Sequence, residues 1–334
     1  MNSISDIIQK EFQNKKIVVV GDLVADQFLR GTINRVSREA PVFIMSHDET
    51  ETRAGGAANA AVNVSSLDGN VFAVGLVGKD QNGKSLFKAL EDSRVNCDYI
   101  VTDEQLQTTT KVRVSAAQHY AQRQQVVRID YENEKAIGEN TYDQLKHNVI
   151  AATEDADAII LSDYSYGVAS RAMGELCIDI SKEKRIPLLV DSRTRLRDFR
   201  GATSATPNQE ELEHILGENF MEADCEQLRE TLNLDALLLT RGNEGMLLLV
   251  KDQKPLNIDV VGSKEPIDVT GAGDTVIATY ALGLASGLGF AKSAQLANHA
   301  GGIVVMKKGT ASVTIEELLK SLQEDSTDYK THTQ

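Results

Sequence analysis

The run Asp268-Val269-Thr270-Gly271-Ala272-Gly273-Asp274 holds the residue types best suited to chemistry in this chain. Two glycines sit where a strand should give way to a helix, and a carboxylate follows at once. Glycine lets backbone N–H groups turn outward and approach a ligand closely. A helix N-terminus adds unpaired donors and a partial positive charge, which suits phosphate. A carboxylate there is poorly placed to bind an anion. It is well placed to take a proton from an attacking hydroxyl. Gly271, Ala272 and Gly273 therefore read as an anion cradle, with Asp274 as the base beside it. A Gly-rich turn with an ordinary capping aspartate is the plainer reading.

A rival phosphate loop lies at Gly78-Lys79-Asp80-Gln81-Asn82-Gly83-Lys84-Ser85. It satisfies the P-loop pattern, in which the lysine reaches phosphate and the hydroxyl binds Mg²⁺. A strand is expected before it and a helix after it. The plainer reading is a surface turn in which Lys84 and Ser85 start a helix.

Cations form a third group. Arg30, Arg35 and Arg38 lie in one segment, and Lys111, Arg113, Arg123 and Arg128 in another. No acidic residue occurs from 105 through 129. Guanidinium groups bind phosphate bidentately, so this is a candidate site for a phosphorylated small molecule. The alternative is a solvated strand face whose charges protect an exposed edge. Arg193, Arg195, Arg197 and Arg200 form a second basic run that could touch nucleotide phosphates.

These residues need a scaffold, and the chain alternates short apolar runs with helical ones. Strands are expected at 17–20, 71–77, 158–161, 187–190 and 236–239. Helices are expected at 55–67, 84–94 and 275–288. Near-continuous apolar strands between helices indicate a mainly parallel sheet covered on both faces. Ligands gather at the carboxyl ends of such strands, where Asp22, Asp163, Asp191 and Arg241 would point. The segments 24–46 and 108–130 break the alternation, and together suit a small projecting β lid. The residues 324–334 read as a polar, frayed tail.

Bulk properties exclude several classes. A chain of 334 residues suits one α/β domain over 1–330. Its net charge of -14 argues against a nucleic-acid partner. Three scattered cysteines suggest reduced thiols and a cytoplasmic location, and no histidine spacing suggests a zinc site. The N-terminus has no apolar signal core, and no run is long enough to span a bilayer, so no membrane partner is expected.

With Asp274 in place, the chain falls into register with the ribokinase-like sugar kinases, also called the phosphofructokinase-B family. Gly55-Gly56-Ala57-Ala58-Asn59-Ala60-Ala61 resembles that family's sugar-binding signature, and 75–83 its G-x-x-G-x-D-x-x-G continuation. That accounts for Gly78 and Gly83 without a P-loop. Asn208-Gln209-Glu210-Glu211 resembles its N-x-x-E motif. Thr240-Arg241-Gly242 with Gly245 resembles its T-[KR]-G-x-x-G, and 298–302 its adenine-pocket helix.

Within the family the chain looks most like the kinase domain of the D-glycero-D-manno-heptose 7-phosphate kinases of lipopolysaccharide core synthesis. The runs 37–42, 110–114, 125–130 and 161–164 carry that likeness. Bifunctional members continue into a nucleotidyltransferase domain, so a kinase-only form is expected. Asp191-Ser192-Arg193 stands where Asp-Pro-Lys is expected, His299 replaces a small residue, and 118–122 is an added stretch.

The resemblance implies a three-layer α/β/α sandwich with a β lid and ATP-dependent phosphorylation of a sugar. It implies that Asp22, Gly55, Gly56 and Asn59 hold sugar hydroxyls while Lys111, Arg113 and Arg128 face a sugar phosphate. Asn208, Thr240, Arg241, Gly242, Gly245 and Asn298 would bind ATP. Glu211 would position Mg²⁺ through water, and Asp268 with Thr270 would hold a monovalent cation such as K⁺. A homodimer is expected. Kinases for other sugars, and a silent sugar- or nucleotide-binding regulator, are the alternatives on the same fold.

Overall fold

A computed structural model describes residues 4–118 and 123–331, so most of the added stretch at 118–122 lies outside the described residues. The strands are β1 (Lys16–Gly21), β2 (Leu23–Val36), β3 (Phe43–Gly56), β4 (Asn70–Gly78), β5 (Asn96–Asp103), β6 (Thr110–Ala117) and β7 (Gln124–Tyr131). There follow β8 (Ala158–Asp163), β9 (Leu188–Ser192), β10 (Ser204–Ala205), β11 (Ala236–Thr240), β12 (Met246–Val250) and β13 (Leu256–Ile258). They build a nine-stranded sheet in the order β13-β12-β11-β10-β9-β8-β1-β4-β5 and a four-stranded sheet in the order β3-β2-β6-β7. The large sheet is parallel from β5 to β11; β12 pairs antiparallel with β11, and β13 antiparallel with β12.

Alternation along β1 explains the layers. Ile17 and Val19 face one core, and Val18 and Val20 face the other. Successive strand side chains point to opposite faces, so a run that is apolar throughout must be covered twice. Helices Ala57–Ser66, Gln81–Asp92, Ala272–Ala285 and Phe290–Val304 cover one face. Helices Glu139–Ala152, Arg171–Lys184, Gln209–Leu216 and Glu222–Thr231 cover the other. This is the expected three-layer α/β/α sandwich.

β1 is the hinge of the design. It pairs β4 on one side and β8 on the other, so strand order reverses there. A crevice opens at such a switch point, beyond the strand carboxyl ends. The chain leaves β1 at Gly21 and enters the lid at Leu23, which roots the four-stranded sheet over that crevice.

Several boundaries differ from those read in the sequence. The first lid segment does not stop at 46, because β3 runs on to Gly56. Its residues 46–50 are polar or charged and exposed, which hides the strand from a hydrophobic pattern. The expected helix at 55–67 accordingly starts at Ala57, after Gly56 with a φ of 57°. The helix expected at 275–288 starts three residues earlier, because Gly271, at φ 79°, caps it in the left-handed region. Asp274 thus sits inside the first helical turn. The polar stretch from 324 continues the last helix, Ile315–Thr331.

The P-loop look-alike is occupied structurally. The Asp80 carboxylate accepts N–H bonds from Gly83 (2.7 Å) and Thr108 (2.7 Å) and the Thr108 hydroxyl (2.8 Å). It caps helix Gln81–Asp92 and ties the approach to β6 against β4. No helix among the described residues is long and apolar enough to cross a membrane.

Candidate active site

Asp274 is 3% exposed. Its Oδ2 accepts the Asn59 amide at 2.7 Å, and its Oδ1 accepts the Tyr164 hydroxyl at 2.9 Å. Burial pushes its pKa up to about 6, against the pull of those two donors. Asn59 and Asn63 lie one turn apart on helix Ala57–Ser66. Asn63 in turn accepts the Thr275 hydroxyl at 2.8 Å and donates to Asn59, so the two helices are clipped together beside the carboxylate. A Cβ on Gly271 would come within 2.6 Å of the Asn59 amide, so only glycine fits there.

The cradle is part spent and part open. The Ala272 N–H closes a turn on the Val269 carbonyl at 3.2 Å. A Cβ built on Gly273 meets nothing within 4 Å, so its backbone faces open space. Asp268 accepts N–H bonds from Thr270 (2.9 Å) and Gly309 (2.8 Å). Burial raises its pKa, but these bonds outweigh it and hold the carboxyl below its ordinary range.

Two cavities meet at this helix start. The smaller, of about 70 Å³, is walled by Asp26, Lys111, Arg113, Tyr164, Arg193 and Asp274, with Gly56 and Gly271. The larger, of about 490 Å³, is walled by Asn208, Thr240, Arg241, Gly242, Gly245 and Asn298, and also by Ala272 and Gly273. All six residues expected to bind nucleotide therefore line one cavity. Gly245 has a φ of 83° where a Cβ would strike the Ile258 carbonyl. The Asn298 amide holds the Asp259 carbonyl at 2.7 Å, and Arg241 holds the Asn257 side chain at 2.9 Å.

The acceptor-side expectations need correction. Asp22 is 1% exposed and does not line the small cavity. Its oxygens accept backbone N–H groups of Tyr164 (2.9 Å), Tyr166 (3.0 Å) and Val168 (2.9 Å), so it fastens the loop after β8. Asn59 likewise serves Asp274 and does not line the cavity. The carboxylate that faces it beside Asp274 is Asp26, which the sequence reading missed. The available signal was a lone carboxylate two residues after Val24, and same-face strand neighbours recur every second residue. Gly55 leaves room for Asp26, whose Oδ2 lies 2.7 Å from where a Gly55 Cβ would be.

The basic run is acid-free in sequence but not in space. Arg113 pairs with Asp26 (2.6 Å), Arg123 with Asp48 (2.6 Å) and Arg128 with Asp130 (2.9 Å). Arg128 stands opposite Arg113 on β7 and is exposed, outside the cavity wall. Lys111 is different. It is 8% exposed and lines the cavity. Its ammonium lies 5.6 Å from the Tyr166 ring centroid, and no carboxylate among the described residues is bonded to it. Burial, with Arg193 next, lowers its pKa.

Asn208 and Glu211 form a reciprocal capping box, each side chain accepting the other's N–H at 2.9 Å. That motif alone explains their spacing. Burial nevertheless raises the Glu211 pKa, and burial with the charges of Glu211 and Asp274 raises that of Asp191. The charge of Arg193 pulls both values the other way, and neither carboxylate is in the wall of the larger cavity.

Fold and site together define a ribokinase-like kinase domain. The family model for pfkB carbohydrate kinases matches residues 14–317, and the chain belongs to that family. The chain is 39% identical over 319 residues to the bifunctional protein HldE of Hahella chejuensis, covering 94% of this chain and 65% of that one. Against HldE of Haemophilus influenzae it is 38% identical over 315 residues, covering 92% and 63%. The chain therefore spans somewhat under two thirds of these curated relatives. Among solved structures, Escherichia coli phosphofructokinase-2 in complex with potassium superposes with a TM-score of 0.75 at 18% identity, over 93% of this chain and 99% of that one. Arabidopsis thaliana ribokinase complexed with ribose and ATP gives 0.68 at 21%, over 92% and 98%. At such identities the likeness speaks for the fold alone.

The role found for Asp22 is testable. Asp22→Ala takes the acceptor from one buried and two part-buried N–H groups, and a stranded buried group costs roughly 1–3 kcal/mol. Its unfolding free energy should fall by about 1–3 kcal/mol, read as a lower urea midpoint. An unchanged midpoint would mean that water replaces the carboxylate without loss.

Proposed function

We propose that this chain transfers the γ-phosphoryl group of ATP to a hydroxyl of a phosphorylated sugar. The acceptor best supported is D-glycero-D-manno-heptose 7-phosphate, taken at its anomeric hydroxyl to give the 1,7-bisphosphate. The observation that carries the reading is the meeting of two cavities at the start of helix Ala272–Ala285, with Asp274 in the wall of the smaller one. ATP occupies the larger one, with its phosphates at the start of helix Ala272–Ala285. The sugar occupies the smaller one, with Asp26 on its hydroxyls and Lys111 on its existing phosphate. Asp274 accepts the proton of the attacking hydroxyl. The open N–H groups at Gly271 and Gly273 stabilise charge on the group in transit.

The cations follow from the donors. Glu211 and Asp191 suit Mg²⁺ held through water, since Mg²⁺ keeps several waters. Bound there, the ion neutralises charge on the nucleotide phosphates. Asp268 is kept ionised beside Thr270, the state a monovalent ion such as K⁺ requires. The small cavity falls well short of the roughly 300–1,000 Å³ of ordinary ligand pockets. The lid therefore opens to admit the sugar and closes to exclude water.

Asp274→Asn keeps the shape of the side chain and loses its basicity. Turnover should fall about 10²–10⁴-fold with sugar binding retained. In the wild-type chain Asp274 is an active base only when ionised. The kcat/KM should therefore rise with pH up to about 6 and level off above it. Full-rate turnover by Asp274→Asn, or a flat profile through that range in the wild type, would remove Asp274 from the base role. The same assay in K⁺ and in Na⁺ reads the monovalent site.

Lys111→Ala should raise KM for the phosphosugar and leave that for ATP nearly alone. One charge-assisted contact is worth roughly 1.5–3 kcal/mol. Arg128→Ala, outside the cavity, should change neither. Better turnover of neutral sugars than of any phosphosugar would overturn the acceptor and leave the kinase reading standing.

A homodimer through the lid is part of the proposal. Every residue of β7 is exposed, including Val126, Val127, Ile129 and Tyr131, and Val36 of β2 and Phe43 of β3 are exposed elsewhere in the same sheet. Exposed apolar surface and free strand edges favour burial in a partner. Sedimentation should give a dimer that Val127→Glu weakens, and a wild-type monomer at assay concentrations would count against it.

A further inference from the structure

Arg193 lies just beyond β9 and contributes to the wall of the small cavity. Its guanidinium carbon is 4.3 Å from the centroid of the Tyr164 ring. The hydroxyl of that same ring donates to Asp274 at 2.9 Å. Arg193 therefore stands one aromatic ring away from the carboxylate in the wall of the small cavity.

Its lack of a partner is what separates it from its neighbours. Arg113, in the same wall, is bonded to Asp26. Arg195, two residues on, is bonded to Asp163 and to the Ala169 carbonyl. Among the described residues no carboxylate or carbonyl takes a hydrogen bond from the Arg193 side chain. Yet anions surround it, since its charge lowers the pKa of Asp274, Glu211 and Asp191 and of the Tyr164 hydroxyl. A flexible arginine near three carboxylates would ordinarily fold onto one of them. Here the flat face rests on tyrosine, and the five N–H donors at its rim are left unspent. A stacked guanidinium is pre-oriented, so little rotamer freedom remains to be lost when an anion arrives.

We propose that Arg193 is a catalytic residue that binds the phosphoryl group during transfer. This rests on the phosphotransfer reading above. In that step a bond forms between the acceptor oxygen and the γ-phosphorus. The bond from the γ-phosphorus to the β–γ bridging oxygen breaks, and its electron pair leaves with ADP. The acceptor proton passes to Asp274. Arg193 neither gains nor loses a proton. It donates hydrogen bonds to the non-bridging oxygens as charge spreads over them. Lys111 holds the far end of the acceptor and Arg193 the reacting end, so the two cavity cations divide the work.

The test uses the full chain with Arg193→Ala and Arg193→Lys. Steady-state kinetics with ATP and the phosphosugar should show kcat lowered roughly 10²–10³-fold in the alanine variant, with both KM values little moved. Lysine, which keeps the charge but not the fork, should restore part of the rate. Calorimetric titration with ADP and Mg²⁺, with and without aluminium fluoride, reads the same residue without turnover. The fluoride, a mimic of the group in flight, should tighten ADP binding in the wild type and fail to do so in Arg193→Ala. A raised KM for the phosphosugar at unchanged kcat would make Arg193 an acceptor anchor and overturn the proposal. Unchanged kinetics and an intact fluoride effect would overturn it outright. If the wild type phosphorylates no phosphosugar, the functional reading fails, and the fluoride titration still decides Arg193. A thermal melt unaltered in the lysine variant separates these results from misfolding.

Discussion

Asp22 accepts three backbone N–H bonds from the loop that follows β8, and much of the site hangs on that fastening. It sits where the chain passes from β1 into the lid, so the two sheets and the loop share one joint. The bonds fix Tyr164 and Tyr166 at their backbones. Tyr164 then reaches Asp274, and Tyr166 lies under the Lys111 ammonium. Burial raises the Asp22 pKa, and the three N–H bonds offset part of that cost. A backbone-bonded carboxylate of this kind does no chemistry itself. It sets the positions from which others act.

A second buried carboxylate continues the joint along the sheet edge. Asp163, at the end of β8, accepts the Ser192 hydroxyl at 2.7 Å and the guanidinium of Arg195. That bond leaves Arg195 committed to structure while Arg193, on the same turn, remains free for a ligand. Alternate residues of one short turn thus take opposite duties. The difference lies in their neighbours, since each has the same side chain.

The strand-and-helix alternation was legible because parallel strands here are apolar throughout. The loop at 268–274 and the nucleotide-side residues were legible because each is a local motif. What escaped was non-local. Arg113 and Asp26 are 87 residues apart, and Arg123 and Asp48 are 75 apart. A window that sees only chain neighbours therefore reads a paired surface as an unpaired basic cluster. Asp22 and Asp26 were confused for a related reason. Asp22 follows β1 directly and Asp26 lies four residues on, within β2, and only the fold reveals which one turns toward the cavity. β3 escaped because a lid strand with charged outer positions lacks the apolar alternation that marks a half-buried one.

The basicity of Asp274 and the packing around it are set by the same contacts. An aspartate in water, with a pKa near 3.9, is a weak acceptor for a hydroxyl proton. Burial at the helix start makes Asp274 more basic, up to about 6. Burial alone would carry it higher still. The amide of Asn59 and the hydroxyl of Tyr164 oppose that drift by stabilising the ionised form. Each donor also has a structural duty, because Asn59 clips two helices together and Tyr164 supports Arg193. Any change that loosens this packing therefore also alters the basicity on which the proposed proton transfer depends. A carboxylate so held can be ionised at neutral pH and still be buried enough to be reactive.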